Sequence, residues 1–388
     1  MDPPITPREA DARILRSLRE PPVEDLPLAA AAGRTLAAPI LADRDLPPYS
    51  RAMMDGIAFA SASLPPDAAF ERAGLHAAGD PPPPPLAPGH AWEIMTGACL
   101  PADCDTVVPY EHLSADGNSV LEPFEPGQCI HPAGSDARAG DTLVPAGTRI
   151  GPAEVAIAAS VGQSRLGVLA RPRIVIVSSG DEAVPVDTDP EPWQIRRSNG
   201  PMLDALLRQL GRPPAAAHHV PDEANEARRV LHDALDAADL LIVCGGISRG
   251  KRDLVRPLLE ERLGAPAFHG VRQRPGKPLA FWAGPPLVFA LPGNPVSVLA
   301  TFTRYVLPTL ERLDGREPGS ASLPLPAGIE PLPNLTWLLP LDAAGSPRPP
   351  RNSGDFVSIA GTAAFLEIPP APEFPAGPTP RFPLFPFC

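Results

Sequence analysis

Lysine is almost missing from this chain: of its 33 basic residues only Lys251 and Lys277 are lysine. Surface ion pairs lose nothing by this, because arginine forms them at least as well, so the shortage excludes no ordinary fold. It does single out two places where a compact ammonium is kept. Both lie in glycine-containing loops after strand-like runs, GGISRGKRD and RPGKP, a placement that points to an anion site. Cysteine is also sparse. The five cysteines, Cys99, Cys104, Cys129, Cys244 and Cys388, are odd in number and show no CxxC spacing. That argues against a disulfide framework and a zinc ribbon and for a reducing compartment. No stretch approaches the roughly 20 apolar residues of a membrane span. The opening MDPPITPREADARIL has early acids and no apolar signal core, so the chain reads as a soluble cytoplasmic protein. Positive charge is in deficit, with a net charge of −12 and a pI of about 5.2. This excludes a general nucleic-acid or anionic-membrane binder, whose non-specific attraction needs many cations; any anionic ligand must be held locally.

What is abundant is proline, 58 residues, concentrated in the Pro81 to Pro85 run, around residues 345–350 and from Pro369 onward. These read as stiff connectors and extended edges. With 388 residues and 44% apolar content, the length predicts roughly two to three domains. Thr6, Pro7 and Glu9 have the spacing of a helix cap, and Ile14, Leu15 and Leu18 share one face, predicting an amphipathic helix over 6–20. From about 41 to 136, short apolar runs broken by Pro, Gly and Asp read as a β-rich insert. Residues 147–162 return to helical spacing. Residues 172–313 carry the clearest pattern: RIVIVSS, AAAHHV, DLLIVC, PLAFWAG and LVFALPG as strands, alternating with helices over SNGPMLDALLRQLG, a segment beginning at Asp222, RDLVRPLLEERLG and NPVSVLATF. That alternation predicts a doubly wound, mainly parallel sheet with its ligand site beyond the carboxyl ends of the strands. After about 316, WLLPL, FVSIA and FLEIP read as strands of a small C-terminal β domain.

Three strand-terminal loops should therefore converge: Ser178-Ser179-Gly180-Asp181-Glu182, Gly245-Gly246-Ile247-Ser248 with Asp253 beyond, and Leu291-Pro292-Gly293-Asn294-Pro295. Small residues let backbone approach a ligand, and a GG loop at a helix start offers N–H groups to a phosphate, although a plain tight turn explains it as well. Glu182 and Asp253 suit a divalent metal shared with phosphate oxygens; helix capping is the competing reading. Arg249, Lys251, Arg252, Arg272, Arg274 and Lys277 reverse the local charge, as a phosphate or oxyanion site requires. Arg252 and Arg256 read rather as a solvated helix face, whereas a Pro-Gly turn joins Arg274 to Lys277. In the β-rich insert, Met53-Met54-Asp55-Gly56 and Met95-Thr96-Gly97-Ala98 read as hairpin turns. His218 and His219 end a strand and read as structural.

The strings LPPYSRAMMDGIA, EIMTGACLP, SSGDE, GGISRGKRD, RPGKP and LPGNPVS, in that order over nearly the whole chain, resemble the molybdopterin molybdenumtransferases, the MoeA proteins and relatives such as the gephyrin E domain. The resemblance implies a multidomain α/β plus β fold. Its expected parts are an N-terminal linking and dimerisation domain (1–40 and 137–168), a β-rich insert (41–136), a MogA-like α/β molybdopterin-binding domain (169–315) and a C-terminal β-barrel-like domain (316–388). It further implies insertion of molybdate into adenylylated molybdopterin with release of AMP, aided by Mg²⁺ or another divalent metal, in a homodimer whose site draws on both subunits. By motif it implies site roles for Asp55, Thr96, Asp136, Ser179, Gly180, Glu182, Gly245, Gly246, Ser248, Asp253, Arg274, Lys277, Pro292 and Pro295, with Asn352-Ser353-Gly354-Asp355 as an SG-containing loop. Departures stand at Arg274 for the first Lys of KPGK, His131 for an Arg, Arg249 after Ser248, and Ile195-Arg196-Arg197-Ser198-Asn199 for IYDxN. Two other readings stay open: a catalytically weakened binding relative, and a nucleotide-pyrophosphate hydrolase or adenylyltransferase on the same core.

Overall fold

The computed structural model describes residues 3–63, 69–247, 254–352, 354–375 and 380–387. The chain divides into two compact units, Met1–Glu24 with Leu169–Cys388, and Asp25–Val168.

The first unit is built on a six-stranded sheet of β1 Ile174–Ser179, β2 Ala216–Val220, β3 Leu240–Cys244, β4 Phe268–His269, β5 Ala280–Trp282 and β6 Leu287–Leu291. The order is β2-β1-β3-β6-β5-β4, with the first four parallel and β5 antiparallel to both its neighbours. Every residue of β3 and β6 is buried, as expected of strands covered on both faces. Side chains alternate between two cores. Ile174, Ile176, Leu240, Ile242, Phe289 and Leu291 meet the helices Pro7–Ser17, Asn199–Gln209 and Pro295–Thr301. Val175, Val177, Leu241, Val243, Val288 and Ala290 meet the helices Ala224–Ala237 and Val255–Leu263 on the other face.

Helix starts follow local chemistry. Thr6 and Glu9 close a reciprocal capping box, with Glu9 N–H donating to Thr6 Oγ1 at 3.1 Å and Thr6 N–H to Glu9 Oε2 at 2.7 Å. The second-face helix expected from Asp222 starts later: Glu223 is its cap, its carboxylate accepting from the N–H groups of Asn225 and Glu226. Asp222 instead stays in the loop, its N–H donating to Asp181 Oδ1 at 3.1 Å. The helix from Pro295 does not end at Thr301; it passes through a π turn, Phe302–Val306, into Leu307–Leu313.

Beyond it, a five-stranded sheet runs in the order Gln273–Arg274, Thr336–Asp342, Thr362–Ile368, Arg381–Pro386, Ser322–Pro324. FVSIA, expected as a strand, is a 3₁₀ turn at Phe356–Ile359. Phe356 and Val357 are exposed, and Ser358 Oγ donates back to the Asp355 carbonyl, so local hydrogen bonding outcompetes the β preference of these side chains.

The second unit holds a four-stranded sheet in the order Glu71–His76, His90–Ile94, Gly56–Phe59, Thr106–Pro109. A separate core of Leu36, Ile40, Val144, Ile150, Ala158, Leu166 and Val168 lies about the helix Pro152–Ser160.

Candidate functional site

The parallel strands β1, β2, β3 and β6 all point their carboxyl ends at one cavity of about 340 Å³. It gathers Ser179, Gly180 and Glu182 after β1, Gly245 and Gly246 after β3, and Pro292 and Pro295 after β6, so the three expected loops do converge. Glycine is required here for close approach. Gly180 has φ +108°, and a Cβ on it would occupy the space into which the Glu182 carboxylate folds. Gly246 has φ +66°, and its Cβ would lie 2.5 Å from Val255 Cγ2 and 2.9 Å from Ser179 Oγ.

The GG loop differs from the expectation in one respect. Gly245 N–H is spent on the Leu291 carbonyl at 3.1 Å, because the β3 and β6 loops abut and that donor closes them. The following helix begins only at Val255. The expected residues Ser248, Asp253 and Ser353, and Arg249, Lys251 and Arg252 with them, lie outside the described residues.

Arg197, Asn199, Asp222 and Pro278 also line the cavity, and sequence reasoning gave none of them a site role. Arg197 Nε donates to the Ala183 carbonyl at 2.8 Å, which seats a guanidinium where the resemblance leads one to expect an acid. Burial first, then the Arg197 charge, hold the His219 imidazole below its usual range, keeping it neutral near pH 7. Its Nδ1 and Ser178 Oγ are hydrogen-bonded at 2.9 Å, which makes His219 a support of the loop, in line with its structural reading. Asn199 Nδ2 donates to the Gly293 carbonyl at 2.7 Å, while its buried Oδ1 has no donor among the described residues. Its signal in the sequence was its match to the Asn of the IYDxN string.

Arg274 and Lys277 are exposed on the turn that leads into Pro278, and neither lines the cavity itself. Gly276 between them has φ +88°, and a Cβ there would collide with Thr301 Cγ2.

The other three expected positions belong to the unit of residues 25–168. Asp55 Oδ1 accepts from Thr96 N–H and Thr96 Oγ1, both at 2.7 Å. The Thr96 backbone donor, and then its hydroxyl, hold the Asp55 carboxyl below the ordinary carboxylate range. The turn carrying Asp55 is not a hairpin: Arg51–Ala52 pairs with Ile130–His131, whereas Gly56–Phe59 pairs with His90–Ile94 and Thr106–Pro109. Gly56 packs directly on the Val108 carbonyl, and this contact, rather than a ladder to the preceding strand, sets the turn. His131 Nε2 lies 2.7 Å from Asp136 Oδ1, and Arg51 Nη2 lies 3.1 Å from His131 Nδ1. Since guanidinium can only donate, Nδ1 accepts and Nε2–H donates to Asp136, which is the neutral imidazole tautomer.

Fold and cavity together define a multidomain protein with a small-molecule site at the strand ends of a doubly wound sheet. Residues 5–162 match the family described as MoeA N-terminal region (domain I and II), and residues 175–312 the family described as probable molybdopterin binding domain. The molybdopterin molybdenumtransferase of Synechocystis sp. is 36% identical over 354 residues, 87% of this chain and 88% of that protein. The one from Synechococcus elongatus is 33% identical over 92% of this chain and 93% of its own length. The crystal structure of a molybdopterin biosynthesis MoeA protein from Pyrococcus horikoshii superposes with a TM-score of 0.84 at 28% identity, covering 100% of both chains. The chain belongs to the molybdopterin molybdenumtransferase, or MoeA, family. Among the described residues, no helix is long and apolar enough to cross a membrane.

Proposed function

We propose that this protein inserts molybdate into adenylylated molybdopterin and releases AMP, the last step of molybdenum cofactor assembly. The observation that carries this reading is the agreement with the MoeA fold over the whole chain together with a cavity at the parallel strand ends that gathers Ser179, Glu182, Arg197 and Asn199. In this reading the cavity takes the adenylylated molybdopterin. Ser179 Oγ and the Gly180–Glu182 loop face its pyrophosphate, the Arg197 guanidinium adds positive charge, and Asn199 Oδ1 accepts a hydrogen bond from a donor on the ligand. Arg274 and Lys277, presented on one Pro-Gly turn, capture the molybdate dianion beside it.

A divalent metal such as Mg²⁺ fits the donor chemistry. The Glu182 carboxylate is a hard oxygen ligand folded into the space that Gly180 leaves, and such ions are commonly held by one or two carboxylates plus substrate phosphates. The second expected carboxylate, Asp253, lies outside the described residues, and substrate phosphate oxygens would share the ion with Glu182. When bound, the metal supplies charge neutralisation on the pyrophosphate. The protein works as a homodimer, and Asp55, Thr96 and Asp136 contribute fixed polar groups to the reaction.

Lys277→Ala tests the oxyanion assignment. It raises the molybdate concentration for half-maximal AMP release by about tenfold, the value of one charge-assisted hydrogen bond, and leaves the affinity for adenylylated molybdopterin in place. An unchanged molybdate dependence would remove the RPGKP turn from the site.

A further inference from the structure

The turn that carries Arg274 and Lys277 is held from behind by two buried polar side chains that the reaction itself does not use. Gln273 is 1% exposed and Tyr305 2% exposed, so neither reaches solvent or substrate. Gln273 Nε2 donates to the Gly276 carbonyl at 3.3 Å, inside the turn, and the Tyr305 hydroxyl donates to Gln273 Oε1. The sense of both bonds is forced. The Gly276 carbonyl can only accept, so the amide nitrogen faces it, and the amide oxygen is left for the tyrosine hydroxyl. Tyr305 stands in the π turn Phe302–Val306, a local widening of the helix that tends to occur at functional sites. Upstream in the same helical run, Thr301 Cγ2 fills the space against Gly276 where a Cβ would go. The helix thus touches the turn twice, by shape at Thr301 and by hydrogen bonding at Tyr305.

We propose that Gln273 and Tyr305 are positioning residues that fix the Arg274–Lys277 turn for oxyanion capture, a role that rests on the assignment of that turn to molybdate. The Gln273 amide sets the direction of the Gly276 carbonyl and with it the backbone from which the Lys277 side chain departs. Tyr305 sets the rotamer of that amide. Without the hydroxyl, Gln273 Oε1 is a buried acceptor with no donor, and the amide is free to turn away from Gly276.

The test measures AMP release against molybdate concentration for Tyr305→Phe, Gln273→Met, the double variant and Lys277→Ala, together with the dissociation constant for adenylylated molybdopterin. Tyr305→Phe and Gln273→Met each raise the half-saturating molybdate concentration about fivefold, with turnover at saturation within twofold of native. Because both act through one chain of bonds, the double variant is no worse than Gln273→Met alone. A purely structural pair would lower the melting temperature and the active fraction without moving the molybdate dependence, and that result overturns the proposal. So does a double variant in which the two effects multiply. If Lys277→Ala responds and Tyr305→Phe and Gln273→Met do not, only the positioning role fails. If none of the variants responds, the molybdate assignment of the turn fails with it. Gln273→Met keeps the side-chain volume and reports independently should the tyrosine variant fold poorly.

Discussion

Gly246→Ala binds adenylylated molybdopterin at least an order of magnitude more weakly than the native chain, as read by calorimetric titration. Two costs combine at this position. The residue has φ +66°, a left-handed conformation that costs an alanine roughly 1–2 kcal/mol. The new methyl would also lie 2.5 Å from Val255 Cγ2 and 2.9 Å from Ser179 Oγ. Val255 is buried in the first turn of its helix, so relief comes from displacing the Ser179 side or the loop itself, and both line the cavity. Gly211→Ala is the control: φ is +69° there, and an added Cβ meets nothing within 4 Å. It bears only the backbone cost and keeps native affinity. Equal affinities in the two variants would mean that the ligand does not lie against the GG loop.

Arg304→Met lowers the unfolding free energy by about 3–5 kcal/mol in urea denaturation, the usual cost of removing one partner from a buried ion pair. The Arg304 guanidinium donates to Asp11 at 2.8 and 2.7 Å and to the Glu367 carboxylate, and it lies 4.7 Å from the Tyr305 ring centroid and 4.6 Å from that of Phe385. It therefore ties the N-terminal helix and the strand Thr362–Ile368 to the helix that carries it. Its side chain is only 7% exposed and that of Glu367 17%, so the carboxylate left behind stays largely out of water; at Asp11, 39% exposed, solvent screens most of the loss. A change below about 1 kcal/mol would class this cluster with surface ion pairs.

Much of this architecture was legible in the residues. The runs IVIV, LLIVC and LVFAL, separated by helical segments, specify buried parallel strands, and the strand-end rule then places the site in the following loops. Thr6, Pro7 and Glu9 announce their helix because a capping box is local chemistry. What escaped depends on distant partners. Asp222 and Glu223 are both plausible caps, and Asp181, far off in sequence, claims the backbone of the first. The turn at Asp55 resembles a hairpin until its two flanking strands find different partners. Gly245 looks like a phosphate donor until Leu291, at the end of the neighbouring strand, takes its N–H. Gln273 and Tyr305 carry no motif, and only their burial and mutual hydrogen bond in the fold make them a pair. Arg197 stood in plain view as a departure from the IYDxN string and Asn199 as its matching Asn, but nothing in the string shows that one is anchored on Ala183 and the other on Gly293.

The most direct measurement is AMP release by the purified full-length protein given adenylylated molybdopterin and Mg²⁺, with and without molybdate. Molybdate insertion predicts release that starts on adding molybdate and saturates with it. Substrate that stays bound with no release in either condition, or release that ignores molybdate, would contradict the account: the first belongs to a binding relative and the second to a general pyrophosphate hydrolase.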